Sequence, residues 1–120
     1  MKLKMHQIVA AAQALGSLDV PAPIALKLAR AAQPLMAEAA LWEQQRLRLV
    51  RKYGERQGNG QTIVQPDSEN WDKFSEEIGA LLGTDTEVNI VPLPVSTLGG
   101  VFISVGAMTP IWFLFEEEIL

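Results

Sequence analysis

Few side chains in this sequence could perform catalysis or hold a metal ion. His6 is the single histidine among 120 residues and there is no cysteine. We therefore expect no catalytic triad, no thiolate nucleophile and no metal site built from histidine or cysteine. His6 lies in a predicted helix with no chemical partner beside it, and an ordinary surface position accounts for it. The remaining candidates for chemistry are carboxylates.

The acidic residues do not converge on one point. Adjacent glutamates at 76–77 and 116–118 point about 100° apart on a helix, which prevents them from acting as an acid–base pair. Asp67, Glu69 and Asp72 have part of the spacing of a calcium-binding loop, but the glycine and the bidentate glutamate of such a loop are missing. We therefore expect no enzymatic activity, metal, cofactor or small-molecule substrate.

Cations crowd the end of a predicted long helix, where Arg48, Lys52 and Arg56 share one i, i+4 row and Arg51 lies beside it. These cations could bind the phosphates of a nucleic acid, and neighbouring aromatic side chains could stack on its bases. Neighbouring acidic residues reduce the net positive charge of this group, however, and cations at a helix C-terminus also complement the helix dipole. We do not expect nucleic-acid binding, and we interpret the four cations as an electrostatic complement to a protein partner.

The segment Ile111-Trp112-Phe113-Leu114-Phe115 is apolar on every side of the predicted last helix. A helix buried on one side only would leave several of these side chains exposed. The segment therefore predicts an interface with another protein or with a second copy of the chain. Its aromatic anchors would be Trp112, Phe113 and Phe115, rimmed by glutamates 116–118.

Composition and charge place the chain among ordinary globular proteins. Its 48% hydrophobic and 20% charged residues fit a single domain over 1–120. The longest apolar runs are about five residues, too short to cross a bilayer, and the N-terminus lacks a signal core, so we expect a soluble cytoplasmic protein. The net charge is +5 over 1–66 and −9 over 67–120. Either the two halves face each other, or the second half forms an acidic interaction surface.

Hydrophobic spacing and turn residues predict an α+β fold with three or four helices, in which a long, kinked helical segment packs on a small antiparallel sheet or hairpin. The kink is expected at Pro34, which lacks an N–H and collides with the preceding turn. One apolar stripe runs along the long helix, formed by Ile24, Leu28, Ala31, Leu35, Ala39, Trp42, Leu49 and Tyr53. The first predicted elements are a helix over 3–15 ended by Gly16, the long helix over 22–53, and a hairpin or loop over 55–66 with a type I′ turn at Asn59-Gly60. A further helix is opened by Asp67-Ser68-Glu69 and ended by Gly83. Strands over 86–94 and 101–103 follow, and then a last helix over 109–120 that could instead start at Ser104.

The chain resembles a family of short proteins of unassigned function encoded by tailed bacteriophages and prophages. The resemblance spans most of residues 20–92, and its strength lies in the order and spacing of short motifs. These are Lys27-Leu28-Ala29-Arg30, Glu38, Leu49-Val50-Arg51-Lys52-Tyr53-Gly54-Glu55, Gly60, Phe74, Glu77, Leu81-Leu82 and Glu87-Val88. The sequence departs from the family at Pro34 and in the hydrophobic segment from Pro110 to Phe115.

The resemblance implies a phage-encoded accessory or assembly protein in the host-cell cytoplasm or the virion, with no catalytic residues to transfer. Our leading expectation is a non-enzymatic protein that acts by protein contact, in virion or tail morphogenesis or as a minor structural component. The alternative is an inhibitor of a host defence or nucleic-acid-processing enzyme, whose acidic half would imitate a phosphate backbone. That alternative requires most of the ten acids of 67–120 to share one exposed face.

Overall fold

The computed structural model describes residues 1–116. These residues form five α-helices: α1 (Met5–Ser17), α2 (Ala22–Ala31), α3 (Gln33–Tyr53), α4 (Trp71–Leu82) and α5 (Val105–Met108). They also form six short strands: β1 (Lys2–Lys4), β2 (Glu55–Arg56), β3 (Thr62–Ile63), β4 (Asp85–Glu87), β5 (Leu93–Pro94) and β6 (Phe115–Glu116). The α+β class is confirmed, whereas the predicted count of three or four helices is wrong.

The predicted long helix is divided into α2 and α3 at Ala32, whose backbone angles of φ −91° and ψ 0° leave the helical region. Pro34 is the second residue of α3, so its missing N–H falls in a first turn that needs no intrahelical partner. The break predicted from Pro34 is therefore present. The predicted apolar stripe is also confirmed, because every residue of it is buried or half-buried.

Gly54 ends α3, as predicted. The chain then forms a hairpin in which β2 and β3 pair antiparallel, with Glu55 opposite Ile63. The loop is not the predicted type I′ turn. Within the loop, only Gly60 has a positive φ, of 86°, and the Gln57 carbonyl accepts from the Gly60 N–H at 3.0 Å, which is typical of a three-residue hairpin loop.

The N-terminus is a strand where the sequence predicts the start of a helix. β1 pairs antiparallel with β4, which places Leu3 opposite Thr86, and α1 begins only at Met5. α4 likewise begins later than predicted, at Trp71, after turns over 67–70. The predicted strands are shorter or missing, since 86–94 is reduced to the ends β4 and β5, and 101–103 has no regular structure.

The core lies where α1, α2, α3 and the C-terminal segment meet. Its fully buried side chains include Ile8 of α1, Leu35 of α3, and Ile111 and Leu114 near the C-terminus. α4 packs on α3 but contributes no fully buried residue. α4 therefore lies at the margin of the buried core.

The molecule is elongated, with dimensions of 58 × 30 × 22 Å and a radius of gyration of 17.5 Å. A compact chain of this length has a radius of gyration of roughly 14 Å. The accessible surface of 8111 Å² is about a quarter larger than the roughly 6,400 Å² expected for a compact monomer of 13.2 kDa. The fold therefore leaves an unusually large surface free for contacts.

Candidate interaction surfaces

The predicted C-terminal interface is largely enclosed by the chain itself. Residues Thr109–Leu114 form a 3₁₀ helix, and Phe115 enters β6, which pairs in parallel with β5. Phe115 belongs to the core and is only 8% exposed, and Phe113 is half-buried against the core. Of the three predicted aromatic anchors, only Trp112 has a side chain that is mostly exposed to solvent, at 54%. The predicted helix over 109–120 is thus wrong over the described residues, since the α-helical part is the short α5, capped by Ser104.

Trp112 belongs to an apolar surface that the sequence does not indicate. Ile103, Val105, Met108 and Trp112 line a groove of about 470 Å³, and Phe102, next to Ile103 in the chain, is fully exposed. We call these five residues the C-terminal patch. The sequence predicts a strand through 101–103, which would place its residues in a sheet, so only the preceding Gly99-Gly100 and the Ser104 cap point to an irregular segment there.

Of the three glutamates at 116–118 that were expected to rim this surface, only the first lies within the described residues 1–116. Glu116 is exposed at the end of the described residues. Glu117 and Glu118 lie outside them. The patch therefore rests on its aromatic and aliphatic side chains.

The four predicted cations are all exposed, but they do not form one row. Arg48, Arg51 and Lys52 lie on the last turns of α3, whereas Arg56 is in β2, beyond the helix end. The i, i+4 row therefore stops at Lys52, because Gly54 ends the helix. These cations remain available as an electrostatic surface.

Lys52 is partly engaged within the molecule. Its Nζ lies 4.9 Å from the centre of the Tyr53 ring and 3.8 Å from Oε2 of Glu77 on α4. The Tyr53 side chain and then the Glu77 charge raise the pKa of Lys52 above its usual value. Lys52 therefore stays charged at physiological pH and links α3 to α4.

Further ion pairs connect the basic and acidic halves of the chain. Asp85 lies 3.0 Å from Nζ of Lys4 and 3.8 Å from Nζ of Lys2, and Glu87 lies 2.8 Å from the N-terminal ammonium. With the contact between Lys52 and Glu77, three acids of the second half are paired with cations of the first. The charge asymmetry of the sequence is thus partly neutralised within the fold.

α3 exposes a second surface, of mixed apolar and polar residues, on the side opposite its core contacts. Residues Gln33, Ala37, Ala40, Gln44, Leu47 and Arg51, which alternate by four and three positions, are all exposed. Met36 and Leu41 flank this line and are 43% and 51% exposed, and Leu47 is 38% exposed. We call these eight residues the outer stripe.

An apolar pocket of about 210 Å³ adjoins the N-terminal end of the outer stripe. It is lined by Leu15 and Leu18 at the end of α1, by Leu28 of α2, and by Met36 of α3. Its lining offers no acid, base or nucleophile. The pocket therefore extends the apolar surface and adds no chemistry.

The groups that could support catalysis are dispersed. His6 is exposed on α1, and no group of three or more His, Asp or Glu side chains within 1–116 is placed to hold a metal ion. None of the helices formed by this range has the length and apolar character required to span a bilayer.

No protein-family model, no curated protein and no solved structure matches this chain. Inference about function therefore depends on the geometry of its own surfaces.

Proposed function

We propose that this protein is non-enzymatic and acts by binding another protein through the C-terminal patch. The observation that carries the proposal is the apolar groove whose wall includes the half-exposed Trp112, together with the fully exposed Phe102, which precedes the wall residue Ile103 in the chain. Aromatic side chains supply large contact areas at low entropic cost and dominate the energetics of protein interfaces. An apolar groove beside two such anchors suits insertion of an apolar side chain from a partner.

The biological setting follows from the resemblance to phage proteins. In that setting the partner is a component of the virion or tail, and the protein serves in morphogenesis or as a minor structural component of the particle. The exposed cations Arg48, Arg51, Lys52 and Arg56 supply an electrostatic complement to an acidic partner surface. The inhibitor alternative has less support, because Glu77, Asp85 and Glu87 are paired with cations of the first half.

Site-specific photo-crosslinking tests the proposal. A photoreactive phenylalanine analogue replaces Phe102, or Trp112 in a second variant, in cells that produce the phage. The matched control carries the analogue at Asn59, which is exposed in the hairpin loop. We expect one discrete adduct from positions 102 and 112 and none from 59. Excess wild-type protein should suppress this adduct, whereas excess Phe102→Ser/Trp112→Ser protein should not.

The identity of the crosslinked protein separates the two functions. A virion or tail protein supports the assembly role, whereas a host nuclease or defence enzyme supports the inhibitor. Adducts of equal yield at 59 and 102, or adducts that both competitors suppress equally, would contradict a role for the patch.

A further inference from the structure

The chain has three asparagines, Asn59, Asn70 and Asn89, and all three are exposed to solvent. In each case the backbone N–H of the next residue donates to a nearby carbonyl oxygen. These hydrogen bonds run from Gly60 to Gln57 at 3.0 Å, from Trp71 to Ser68 at 3.2 Å and from Ile90 to Val88 at 3.1 Å. The three sites therefore share exposure and local hydrogen bonding, and they differ in the side chain that follows the asparagine.

The residue after Asn59 leaves its own backbone nitrogen uncovered. Gly60 has no side chain, and a Cβ placed on it would meet nothing within 4 Å. Trp71 and Ile90 instead carry bulky side chains on the carbon next to the corresponding nitrogen. Among the three sites, Asn59 is therefore the one at which the following nitrogen can approach the amide carbon Cγ without steric hindrance.

Attack of the Gly60 nitrogen on Cγ of Asn59 closes a five-membered ring. Hydroxide removes the proton of the Gly60 N–H, the nitrogen forms a bond with Cγ, and the bond from Cγ to Nδ2 breaks as ammonia leaves with a proton from water. Water then adds to either carbonyl of this cyclic imide and opens it to aspartate or to isoaspartate. Water and hydroxide are the only co-reactants, and asparagine is a thermolabile residue for this reason.

Two hydrogen bonds of the loop affect the rate in opposite directions. The Gln61 N–H donates to Oδ1 of Asn59 at 3.0 Å, which polarises the carbonyl under attack. Water can do the same in an unfolded chain, so this effect is small. The attack also requires rotation about the Asn59 backbone, which breaks the hydrogen bond from Gly60 to Gln57. This restraint exists only in the folded loop, so we expect the fold to slow the reaction without preventing it.

The product changes the charge of the hairpin. Either form of it adds a carboxylate three positions after Arg56, which is one of the exposed cations, and takes the net charge from −4 to −5. Isoaspartate also lengthens the main chain of the loop by one carbon, because the chain then passes through the side-chain carbonyl. The hairpin thus becomes less basic as the protein ages.

We propose that Asn59 is a site of spontaneous modification, at which the folded protein loses ammonia through a cyclic imide with Gly60 and gains an aspartate or isoaspartate. The reaction lies in the β2–β3 loop and does not rest on the proposed function.

Tandem mass spectrometry of tryptic peptides provides the first test, on folded protein kept at mildly alkaline pH and body temperature and sampled over time. Trypsin cleaves after Arg56 and Lys73 and at no position between them, so Asn59 and Asn70 are compared within one peptide. We expect increasing conversion at Asn59 and none at Asn70 or Asn89. On an anion exchanger, the aspartate form should elute with the variant Asn59→Asp.

Substitution of the two flanking glycines tests the role of the Gly60 nitrogen. Gly60→Ala should slow the conversion of Asn59 in urea-unfolded protein, where the positive φ of the folded loop has no influence. Gly58→Ala adds the same Cβ on the other side of Asn59 and should convert at the wild-type rate. For the wild type, folded protein should convert about 2- to 10-fold more slowly than protein in urea, the factor that one backbone hydrogen bond contributes.

Three outcomes would overturn the proposal: no conversion at 59 in folded protein, equal conversion at 59, 70 and 89, or equal rates for Gly60→Ala and Gly58→Ala. A rate in folded protein equal to or above that in urea would contradict the restraint assigned to the hydrogen bond with Gln57.

Discussion

Lys4 and Asp85 are 81 positions apart in the chain, yet the Lys4 ammonium donates to the Asp85 carboxylate at 3.0 Å. The contact lies beside the pairing of β1 with β4, in which Lys4 is opposite Asp85. The hydrogen bond and charge of Lys4, with a smaller contribution from Lys2, hold the pKa of Asp85 below its usual value. The N-terminus and the segment after α4 are thus joined by hydrogen bonds and by charge.

The lowered pKa predicts how stability depends on pH. A carboxyl group whose pKa is lower in the folded state contributes stability above its unfolded pKa, and this contribution is lost as the pH falls through the folded value. We expect Asp85→Asn to have a lower Tm than the wild type at neutral pH, with the difference shrinking below about pH 4. The exposed charges make the effect small. Thermal unfolding followed by circular dichroism from pH 7 to pH 2 measures it.

Asp19→Asn is the control, because Asp19 is exposed between α1 and α2 and takes part in none of the ion pairs found within 1–116. Its Tm should follow that of the wild type over the whole pH range. A constant offset of Asp85→Asn from pH 7 to pH 2 would contradict the assigned role of the ion pair.

The C-terminal aromatic residues should separate into core and surface by their effect on stability. Phe115→Ser removes a buried ring and introduces a hydroxyl, and should lower the free energy of unfolding by roughly 3–5 kcal/mol. Trp112→Ser should cost about 1–2 kcal/mol, because half of that side chain is already in water. Urea denaturation of the two variants provides the comparison. Equal losses would mean that Trp112 is as buried as Phe115.

Gly54 should tolerate no side chain at the end of α3. A Cβ there would clash with the Val50 carbonyl oxygen and lie 2.7 Å from Cγ2 of Thr62 in β3. We expect Gly54→Ala to lower the free energy of unfolding by about 1–3 kcal/mol, the usual cost of overpacking. Gly58→Ala, in the same hairpin, meets nothing within 4 Å and should change stability by less than about 0.5 kcal/mol. Similar losses from both would exclude the close approach of β3 to the helix end.

Local patterns were sufficient to locate the helical regions of α1 to α4, because their signals lie within a few turns of chain, but they placed the last helix wrongly. The apolar spacing from Ile24 to Tyr53 and the stop at Gly54 correctly located the helical region that contains α2 and α3. The break was expected at Pro34 but occurs at Ala32, because proline suits a first helical turn better than an interior one. The β1 strand had no such signal, since its partner lies 81 or more positions away.

The candidate surfaces were harder to predict, because exposure is decided by tertiary contacts. Trp112 and Phe115 are both aromatic anchors in the sequence pattern, and only tertiary contacts separate the exposed Trp112 from Phe115, which packs in the core. The sequence predicts a strand through Phe102, whereas the side chain is exposed because residues 101–103 find no strand partner. The outer stripe on α3 became visible only once the buried face of the helix was known.

Pro34→Ala tests whether the α2–α3 break depends on the proline or on the core. Ala32 and Leu35 are fully buried and Leu28 nearly so, so packing on both sides of the break should keep it in place. We expect a loss of about 0.4–1 kcal/mol in unfolding free energy, because the unfolded chain gains freedom when proline is removed. The distance between spin labels at the exposed Lys27 and Arg48 should be the same with and without the substitution. A shift to about 32 Å, the separation of these positions on a straight helix, would show that Pro34 alone maintains the break.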